Sequence, residues 1–304
     1  MSSSTMLAVP WILEGVTVKL LERGAPSSGL ASPAQPPWLN LLHRTGRYLV
    51  KTMAIVEMDV RKLRHDPTEL LTRAVQPALW LLVFGEVFTR LHAIPSGGMP
   101  YLDFMAPGIL AQSVLFIAIF SGITIIWERD LGIIHKFLAS PTPRTALVLG
   151  KALAAGVRGL SQAVIIYLLA WLLGVQLSWN PLALIGVFVL VMLGAACFST
   201  FSLIIACLVK TRERFMGIGQ VLTMPLFFAS NAIYPIAIMP AWLKAIALVN
   251  PLTYEVDGLR VLMLGKGAVV SASISLLGLD FAVLLVTTTA LICIGGWLYP
   301  KVVV

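Results

Sequence analysis

The sequence predicts an all-α integral membrane protein, and three observations lead to this fold class. Hydrophobic residues make up 58% of the 304 residues and charged residues only 12%, whereas a soluble domain is usually about one quarter charged. The mean hydropathy is +0.91. Six runs are apolar and long enough to cross a bilayer as helices, which takes about 20 residues each. These runs lie at 74–92, 104–126, 153–177, 182–209, 215–234 and 275–299.

The segment before the first run divides into an extension and a surface helix. Residues 1–40 are predicted to be a partly disordered extension of a membrane domain at 41–304, because 24–37 are rich in Pro, Ser, Gly and Ala. No basic stretch followed by an apolar run and a small-residue cleavage site is present, so a cleaved signal peptide is not expected.

An amphipathic helix is predicted ahead of the first span, before Asp66-Pro67 breaks it. Its apolar residues recur in alternating steps of four and three, and charged residues lie mainly off that stripe. The stripe consists of Leu49, Met53, Val56, Val60 and Leu63. Such a helix lies along a membrane interface, although the same pattern would suit a helix packed against protein.

Basic residues in the short loops orient the six spans. Lys and Arg are concentrated in the N-terminal segment, between the second and third runs, and between the fourth and fifth. The loops at 93–103 and 178–181 contain none. Because basic loops stay in the cytoplasm, both termini are predicted to be cytoplasmic. A bacterial plasma membrane is the default location, with a plastid or thylakoid membrane as the alternative.

A second amphipathic segment, 128–140, follows the second run on the cytoplasmic side. Leu131, Ile134 and Leu138 form its stripe, which Ile133 and Phe137 widen. Such a segment can transmit a push from a partner protein, or it can be a surface connector without a partner. Glu128 would contact that partner or would favour a helix N-terminus through its charge.

The stretch 235–260 is apolar but is interrupted by Pro235, Pro240 and Pro251. Its runs are too short to span a bilayer. Two re-entrant or interfacial half-helices on the outer face are therefore predicted between the fifth and sixth spans, with aromatic side chains at headgroup depth.

Four stretches resemble, in order, the landmarks of type-2 ABC transporter permeases, the ABC-2 type. HDPTELLTRAVQPALWLLVFGEVF (65–88) resembles the entry to the first span, and YLDFMAPGIL (101–110) resembles the start of the second. ERDLGIIHKFLASPTPR (128–144) resembles the coupling helix. PLFFASNAIYPIAIMPAWLKAIALV followed by NPLTYEVDGLR (225–260) resembles the C-terminal signature. The resemblance covers about residues 45–300.

The resemblance implies an interfacial helix, six spans, a cytoplasmic coupling helix and two outer half-helices. It also implies a permease homodimer with two ATPase subunits, which use ATP and Mg and export drugs, lipids or polysaccharides. The sequence has no G-x-x-x-x-G-K-[ST] phosphate loop, so the ATPase is expected to be a separate chain and no cofactor is expected on this one. The expected ATPase-coupling residues are Glu128, Arg129, Leu131, Ile134, Phe137 and Leu138. The expected outer-gate residues are Asn250, Pro251, Tyr254, Asp257 and Arg260.

Polar residues on the fifth run have two interpretations. Gln220, Thr223, Ser230 and Asn231 could line a substrate path or could form hydrogen bonds between helices. In the signature, Asp257 and Arg260 are three residues apart and could pair across one helical turn.

The sequence carries no pattern that would support chemistry inside the membrane. The second, fourth and fifth runs hold no charged residue, which leaves no obvious proton or sodium relay and favours an external energy source. The four histidines are scattered, and the three cysteines lie inside apolar runs, so neither a metal site nor a disulfide framework is predicted. Nucleic-acid binding is not expected. The alternatives are a membrane-embedded lipid-modifying transferase and a non-transporting membrane scaffold.

Overall fold

The apolar runs of the sequence become helices that pack side by side. The computed structural model describes residues 48–58, 61, 67–91, 99–133, 143–265 and 274–299. Within this part of the chain every regular element is helical, and five helices have the length and composition to cross a membrane. These are Ala74–Leu91, Tyr101–Asp130, Arg144–Leu172, Pro181–Leu208 and Leu277–Leu298. The prediction of an all-α, multi-pass membrane protein is therefore confirmed.

The helices are labelled in chain order, beginning with α1 at 48–58. They are α2 (Pro67–Leu79), a π-helical turn (Trp80–Gly85), α3 (Glu86–Leu91), α4 (Tyr101–Phe120), α5 (Gly122–Asp130), α6 (Arg144–Leu172), α7 (Pro181–Leu208), α8 (Arg212–Phe228), α9 (Ala241–Val249), α10 (Pro251–Leu264) and α11 (Ile274–Leu298). The first span consists of α2, the π turn and α3, and the second consists of α4 and α5 with a turn at Ser121.

The fifth apolar run differs most from its prediction. The run at 215–234 becomes α8, which has 17 residues and ends at Phe228. Pro225 lies inside its last turn, and the chain then turns at 229–231. A short 3₁₀ helix (Ile236–Ile238), α9 and α10 follow, so two short α-helices separate α8 from α11.

Helix α6, the third predicted span, is displaced from its predicted position because Pro143 and Gly174 fix its two ends. The prediction was 153–177, and α6 runs from Arg144 to Leu172. It begins directly after Pro143 and ends before Gly174, which has φ +80°. The Val175 N–H donates to the Ala170 carbonyl at 3.0 Å and the Gly174 N–H donates to the Trp171 carbonyl at 3.1 Å. This is a Schellman ending, which glycine permits because it tolerates positive φ.

Helix α7 is the centre of the described bundle. It contacts α4, α5, α6, α8, α10 and α11. The main apolar core lies between α4, α6, α7 and α10, and a smaller core of Ile125, Ile126, Leu147, Phe215 and Tyr299 lies at the other end of α7. The second core holds the ends of α5, α6 and α8 together.

Gly108 on α4 marks a close approach that we expect to limit substitution. A Cβ atom there would lie 2.7 Å from the Cα of Ala232 and would also strike its carbonyl oxygen. Because the obstacle is backbone, Gly108→Ala should destabilise the protein by about 1–3 kcal/mol through overpacking. The measurement is the apparent melting temperature of the purified protein in detergent.

Gly278→Ala is the matched control for that prediction. Nothing lies within 4 Å of a Cβ atom at Gly278, which is also helical and exposed. Alanine is the better helix former, so this variant should melt at the wild-type temperature or slightly above it. Equal melting temperatures for the two variants would contradict the close approach.

Candidate functional site

A buried ion pair joins α5 to α6 at the end of the second span. The Lys151 Nζ atom donates to Glu128 Oε1 at 2.6 Å, and the two side chains are 11% and 5% exposed. Glu128 lies in the last turn of α5, where sequence analysis expected the first turn of a coupling helix. Its carboxylate therefore faces Lys151 inside the described bundle.

Arginine side chains tie the same end of α5 to the connection between α7 and α8. Arg129 donates to the carbonyls of Val209 at 3.1 Å and Lys210 at 2.5 Å. Arg212, the first residue of α8, donates to Asp130 at 2.9 Å and lies 4.9 Å from the centre of the Trp127 ring. Together with the Lys151–Glu128 pair, these contacts connect α5 with α6, α7 and α8.

The chain leaves this anchored end through a turn. Gly132 has φ +70°, and its N–H donates to the Arg129 carbonyl at 2.9 Å. Leu131 is 70% exposed. The remaining predicted coupling residues, Ile134, Phe137 and Leu138, lie outside the described residues.

Helix α1 turns its predicted apolar stripe away from the protein. Thr52 and Ile55 are buried, and Ile55 lies against Gly150 of α6. Leu49 and Met53 of the stripe are exposed, and Val56 is half-buried. The other two members, Val60 and Leu63, lie outside the described part of the chain.

The signature begins with an asparagine that fastens α10 to α8. Asn250 caps α10, since its Oδ1 atom accepts from the Leu252 N–H at 3.0 Å, and Pro251 occupies the first helical position. The Asn250 Nδ2 atom donates to the carbonyls of Leu226 at 2.7 Å and Ala229 at 3.1 Å. These are orphan carbonyls at the end of α8, so one side chain caps two helices. Tyr254 donates its hydroxyl to the Leu248 carbonyl at 2.7 Å.

Arg260 is the hub of a buried polar cluster and is itself only 1% exposed. Its Nη1 atom donates to Asp257 at 3.1 Å, so the pair expected from the i, i+3 spacing is present. Its Nη2 atom donates to the carbonyls of Asn231 at 2.7 Å and Phe104 at 3.4 Å. The guanidinium lies 4.0 Å from the centre of the Phe104 ring, and the Asn231 amide donates to Asp257. The cluster thus joins α10 to α4 and to the turn after α8.

Two further carboxyl groups lie buried near this cluster, and sequence analysis missed their burial. Glu255 is fully buried, and neither of its carboxylate oxygens has a hydrogen-bond partner among the described residues. A Cβ atom at Gly194 of α7 would collide with this carboxyl group. Asp280 of α11 is 3% exposed and lies beside Gly258.

No sequence signal identifies the buried carboxyl groups of Glu255 and Asp280. Glu255 and Gly194 are far apart in the chain and on different helices, and a glycine inside an apolar run is ordinary. Asp280 stands alone in its run, so only the packing of α10 against α11 reveals its neighbours.

The four polar residues predicted on the fifth run do not share one environment. Thr223 and Ser230 are buried and donate to the carbonyls of Gly219 and Phe227, each at 2.6 Å. Asn231 belongs to the Arg260 cluster. Gln220 is exposed on the outer face of α8. Thr223 and Ser230 thus bond to carbonyls of α8 itself, and Asn231 is the one of the four residues that bonds to another helix among the described residues.

A family model described as ABC-2 type transporter matches residues 50–264. The chain belongs to the ABC-2 type transporter family. This match includes α1, the four helices α4 to α7 and the whole signature up to the end of α10. The family assignment agrees with the resemblance found in the four sequence landmarks.

Three relatives of this ABC-2 protein are named as permeases. It is 30% identical over 217 residues to the transport permease ycf38 of Cyanophora paradoxa, and the aligned region covers 71% of this chain and 74% of the relative. It is 25% identical over 202 residues to the daunorubicin resistance ABC transporter permease protein DrrB1 of Streptomyces coeruleorubidus, covering 66% and 71%. It is 26% identical over 162 residues to the multidrug ABC transporter permease YbhR of Escherichia coli K12, covering 52% and 43%.

Proposed function

We propose that this ABC-2 permease is the membrane subunit of an ATP-driven exporter whose energy comes from a separate ATPase. The observation that supports this proposal best is the anchored end of α5. The chain turns at Gly132, directly after a helix end that is held to α6 by a buried ion pair and to the α7–α8 connection by arginines. A force applied to this end of α5 would be transmitted to α6, α7 and α8.

The second part of the proposal is that the ATPase binds through apolar contacts beyond this helix end. Leu131 and Trp127 are 70% and 51% exposed and lie next to basic residues. Positively charged ends of spans stay in the cytoplasm, where the ATPase and its ATP and Mg would be. With α8 as the sixth crossing, this orientation would leave both termini in the cytoplasm, and we propose the plasma membrane as the location. The exposed stripe of α1 would rest on the lipid surface beside the ATPase.

The third part is a homodimer formed by the exposed faces of α2, the π turn and α8. These faces are mainly apolar, but α2 carries Gln76 and α8 carries Gln220. The π turn and α8 lie close together, since the rings of Trp80 and the buried Phe227 are 6.0 Å apart. Glutamine side chains facing lipid would lack hydrogen-bond partners, so a second copy of the chain is the better neighbour. Two ATPase subunits would then serve two permeases.

The fourth part places α9 and α10 as a re-entrant hairpin at the outer side. The Met263 carbonyl near the end of α10 accepts from the Ser178 N–H at 2.6 Å, in the loop between α6 and α7. Glu255, earlier in α10, lies against Gly194 in the middle of α7. These contacts support an α10 that rises from within the bundle to its outer end, with Arg260 holding the outer gate.

The proposed cargo is an amphipathic or lipid-linked molecule of the drug, lipid or polysaccharide classes. The described spans expose mainly aliphatic and aromatic side chains. Relatives named for daunorubicin resistance and for multidrug transport support the drug class.

The proposal is tested by Leu131→Asp in the complex with its ATPase, reconstituted in proteoliposomes. An exposed side chain can be replaced without disturbing the core, so the permease should fold and assemble as a membrane protein. A loss of about 1.4 kcal/mol at the contact would weaken ATPase binding about tenfold. Permease-stimulated ATP hydrolysis and export of a fluorescent drug should fall with it.

Leu172→Asp is the matched control, since Leu172 is 67% exposed at the opposite end of α6. It should keep wild-type ATPase binding and stimulated hydrolysis. A chain that binds the ATPase but never stimulates hydrolysis would be a scaffold, and that outcome refutes the exporter proposal.

A further inference from the structure

The last helix, α11, is tied at one end to the helices around the anchored end of α5. Tyr299 directly follows α11, is 1% exposed and belongs to the second core. Ile125 and Ile126 of α5 and Leu147 of α6 lie in the same core. Because these neighbours are aliphatic, the ring of Tyr299 rather than its hydroxyl group makes the contact.

Two glycines bring α11 close to α6 just before Tyr299. A Cβ atom at Gly296 would lie 2.9 Å from Thr145 Cγ2 and 3.7 Å from Thr145 Cα, at the start of α6. A Cβ atom at Gly295 would lie 3.5 Å from Val148 Cγ1, one turn further along α6. The missing side chains let the two helices approach each other where the Tyr299 ring enters the second core.

The other end of α11 lies against α10, which carries Arg260. Asp280 is 3% exposed, and its Cβ atom would lie 3.6 Å from a Cβ atom at Gly258 of α10. Between these two ends α11 is one unbroken helix without proline. A rise of about 1.5 Å per residue puts Asp280 and Tyr299 roughly 29 Å apart along its axis.

Helix α11 can shift as a rod because little of it is packed. Only 17% of its most apolar stretch is buried, against 50% for α7. Closely packed interiors resist displacement, so a shift of α7 would disturb both cores, whereas a shift of α11 disturbs few contacts. Helix α11 therefore joins the anchored end of α5 to α10 through a stiff element with a contact at each end.

We infer that Tyr299 is a positioning residue for transport, which holds α11 to α5 and α6 so that a displacement of the anchored end also moves α10. The Arg260 cluster would move with α10. This inference rests on the proposed export function and extends the force path to the last helix. A helix released at Tyr299 would stay in the membrane but would no longer follow α5 and α6.

The first test measures coupling in the complex with its ATPase in proteoliposomes. The readout is the number of ATP molecules hydrolysed per molecule of rhodamine 6G exported, an amphipathic fluorescent dye of the proposed cargo class. Tyr299→Ala should raise this ratio about tenfold, which lies within the usual range of coupling between distant sites. Tyr299→Phe keeps the ring and should keep the wild-type ratio.

Tyr167→Ala is the matched control for loss of a buried ring. Tyr167 is 8% exposed and lies in the main core, on α6. This variant should also lower the melting temperature, because it leaves a cavity, but it should keep the wild-type ratio. An equal rise of the ratio in both alanine variants would show that general loosening, rather than the release of α11, causes the effect.

A disulfide separates the tie between α11 and α6 from the filling of the second core. Thr145→Cys with Gly296→Cys brings two thiols together where the backbones are close enough for such a bond. Combined with Tyr299→Ala, the oxidised bond restores the tie and leaves the cavity empty. The variant is purified and reconstituted oxidised, so that its folding does not depend on Tyr299, and peptide mapping verifies the bond. Oxidation should restore the wild-type ratio, and reduction should raise it again.

The second readout needs no ATPase. Hydrogen exchange of the amides in 251–264 is measured on the full-length permease in lipid nanodiscs. In the Tyr299→Ala disulfide variant, reduction should speed this exchange about tenfold, because α11 no longer holds α10, and oxidation should slow it again. The same disulfide with Tyr299 retained should exchange alike in both redox states.

The outcomes separate the two proposals. A wild-type ratio in reduced Tyr299→Ala, or a verified disulfide that does not restore the ratio, overturns the role of Tyr299. Redox-dependent exchange with an unchanged ratio assigns Tyr299 to structure alone, and a changed ratio with unchanged exchange excludes the route through α10. The exchange result decides the tie even where the wild-type complex exports no dye, an outcome that counts against the exporter proposal alone.

Discussion

Replacing Arg260 with methionine is expected to remove most of the stability of the region where α10 packs against α4 and the turn after α8. Methionine has a similar length and can still lie against Phe104, so the main loss is electrostatic. The Asp257 side chain, which is 27% exposed, would lose its cation. The carbonyls of Asn231 and Phe104 would lose their donor. Removing one partner of a buried ion pair costs about 3–5 kcal/mol. The measurement is the denaturant midpoint in detergent, with protease sensitivity of the 229–265 region as a local readout.

Arg90→Met supplies the comparison for Arg260. Arg90 pairs with Glu86 at 2.8 Å, but the two side chains are 78% and 55% exposed. Such a surface pair contributes less than about 1 kcal/mol, so this variant should unfold close to wild type. Adding Asp257→Asn to Arg260→Met should restore part of the loss, since it removes the uncompensated carboxylate. If the two arginine variants are equally stable, Arg260 is not the hub described above.

The second large effect is expected at the Glu128–Lys151 pair. Lys151→Met should destabilise the protein by about 3–5 kcal/mol, because the buried Glu128 loses its cation. Glu128→Gln alone should also be costly, since it leaves a buried ammonium group. The double variant should be more stable than Lys151→Met alone, because no uncompensated charge remains. A double-mutant cycle on denaturant midpoints measures this coupling.

The exposed Asp130–Arg212 pair calibrates that cycle. It lies on the same end of α5 at 2.9 Å, with side chains 41% and 43% exposed. Its coupling energy should stay below about 1 kcal/mol. Strictly additive effects of the Glu128 and Lys151 substitutions would show that the two residues do not hold α5 to α6. The double variant also separates a role in stability from a role in force transmission. A double variant that is stable but no longer couples ATP hydrolysis to export would assign the pair to force transmission.

Sequence analysis located the spans because lipid imposes a simple rule on composition. A long apolar run must be helical in a bilayer, so hydropathy alone located Pro181–Leu208 to within one residue at each end. It was less successful where local chemistry sets a helix end. Pro143 and Gly174 shift α6 towards its N-terminal side, and the turn at 229–231, held by Asn250, ends α8 early.

The polar sites were predictable only where the partners are near in sequence. The Asp257–Arg260 pair follows from a spacing of three on one helix, and it is present. The pairing of Glu128 with Lys151 and the burial of Glu255 against Gly194 depend on how separate helices meet. Hydropathy also cannot say which helices an aromatic residue at the end of an apolar run contacts, so Tyr299 gave no signal.

The π-helical turn at Trp80–Gly85 gives the first span a property that its composition does not reveal. A π turn holds one residue more than an α turn. Each α-helical residue advances the side-chain direction by about 100°, so the extra residue sets the phase of Glu86–Leu91 relative to Pro67–Leu79. A single-residue deletion within 80–85 would therefore rotate Glu86–Leu91 about the axis of the span while leaving every side chain on it chemically unchanged. Chain length at this one turn, as well as amino-acid type, thus decides in which direction the side chains of Glu86–Leu91 face.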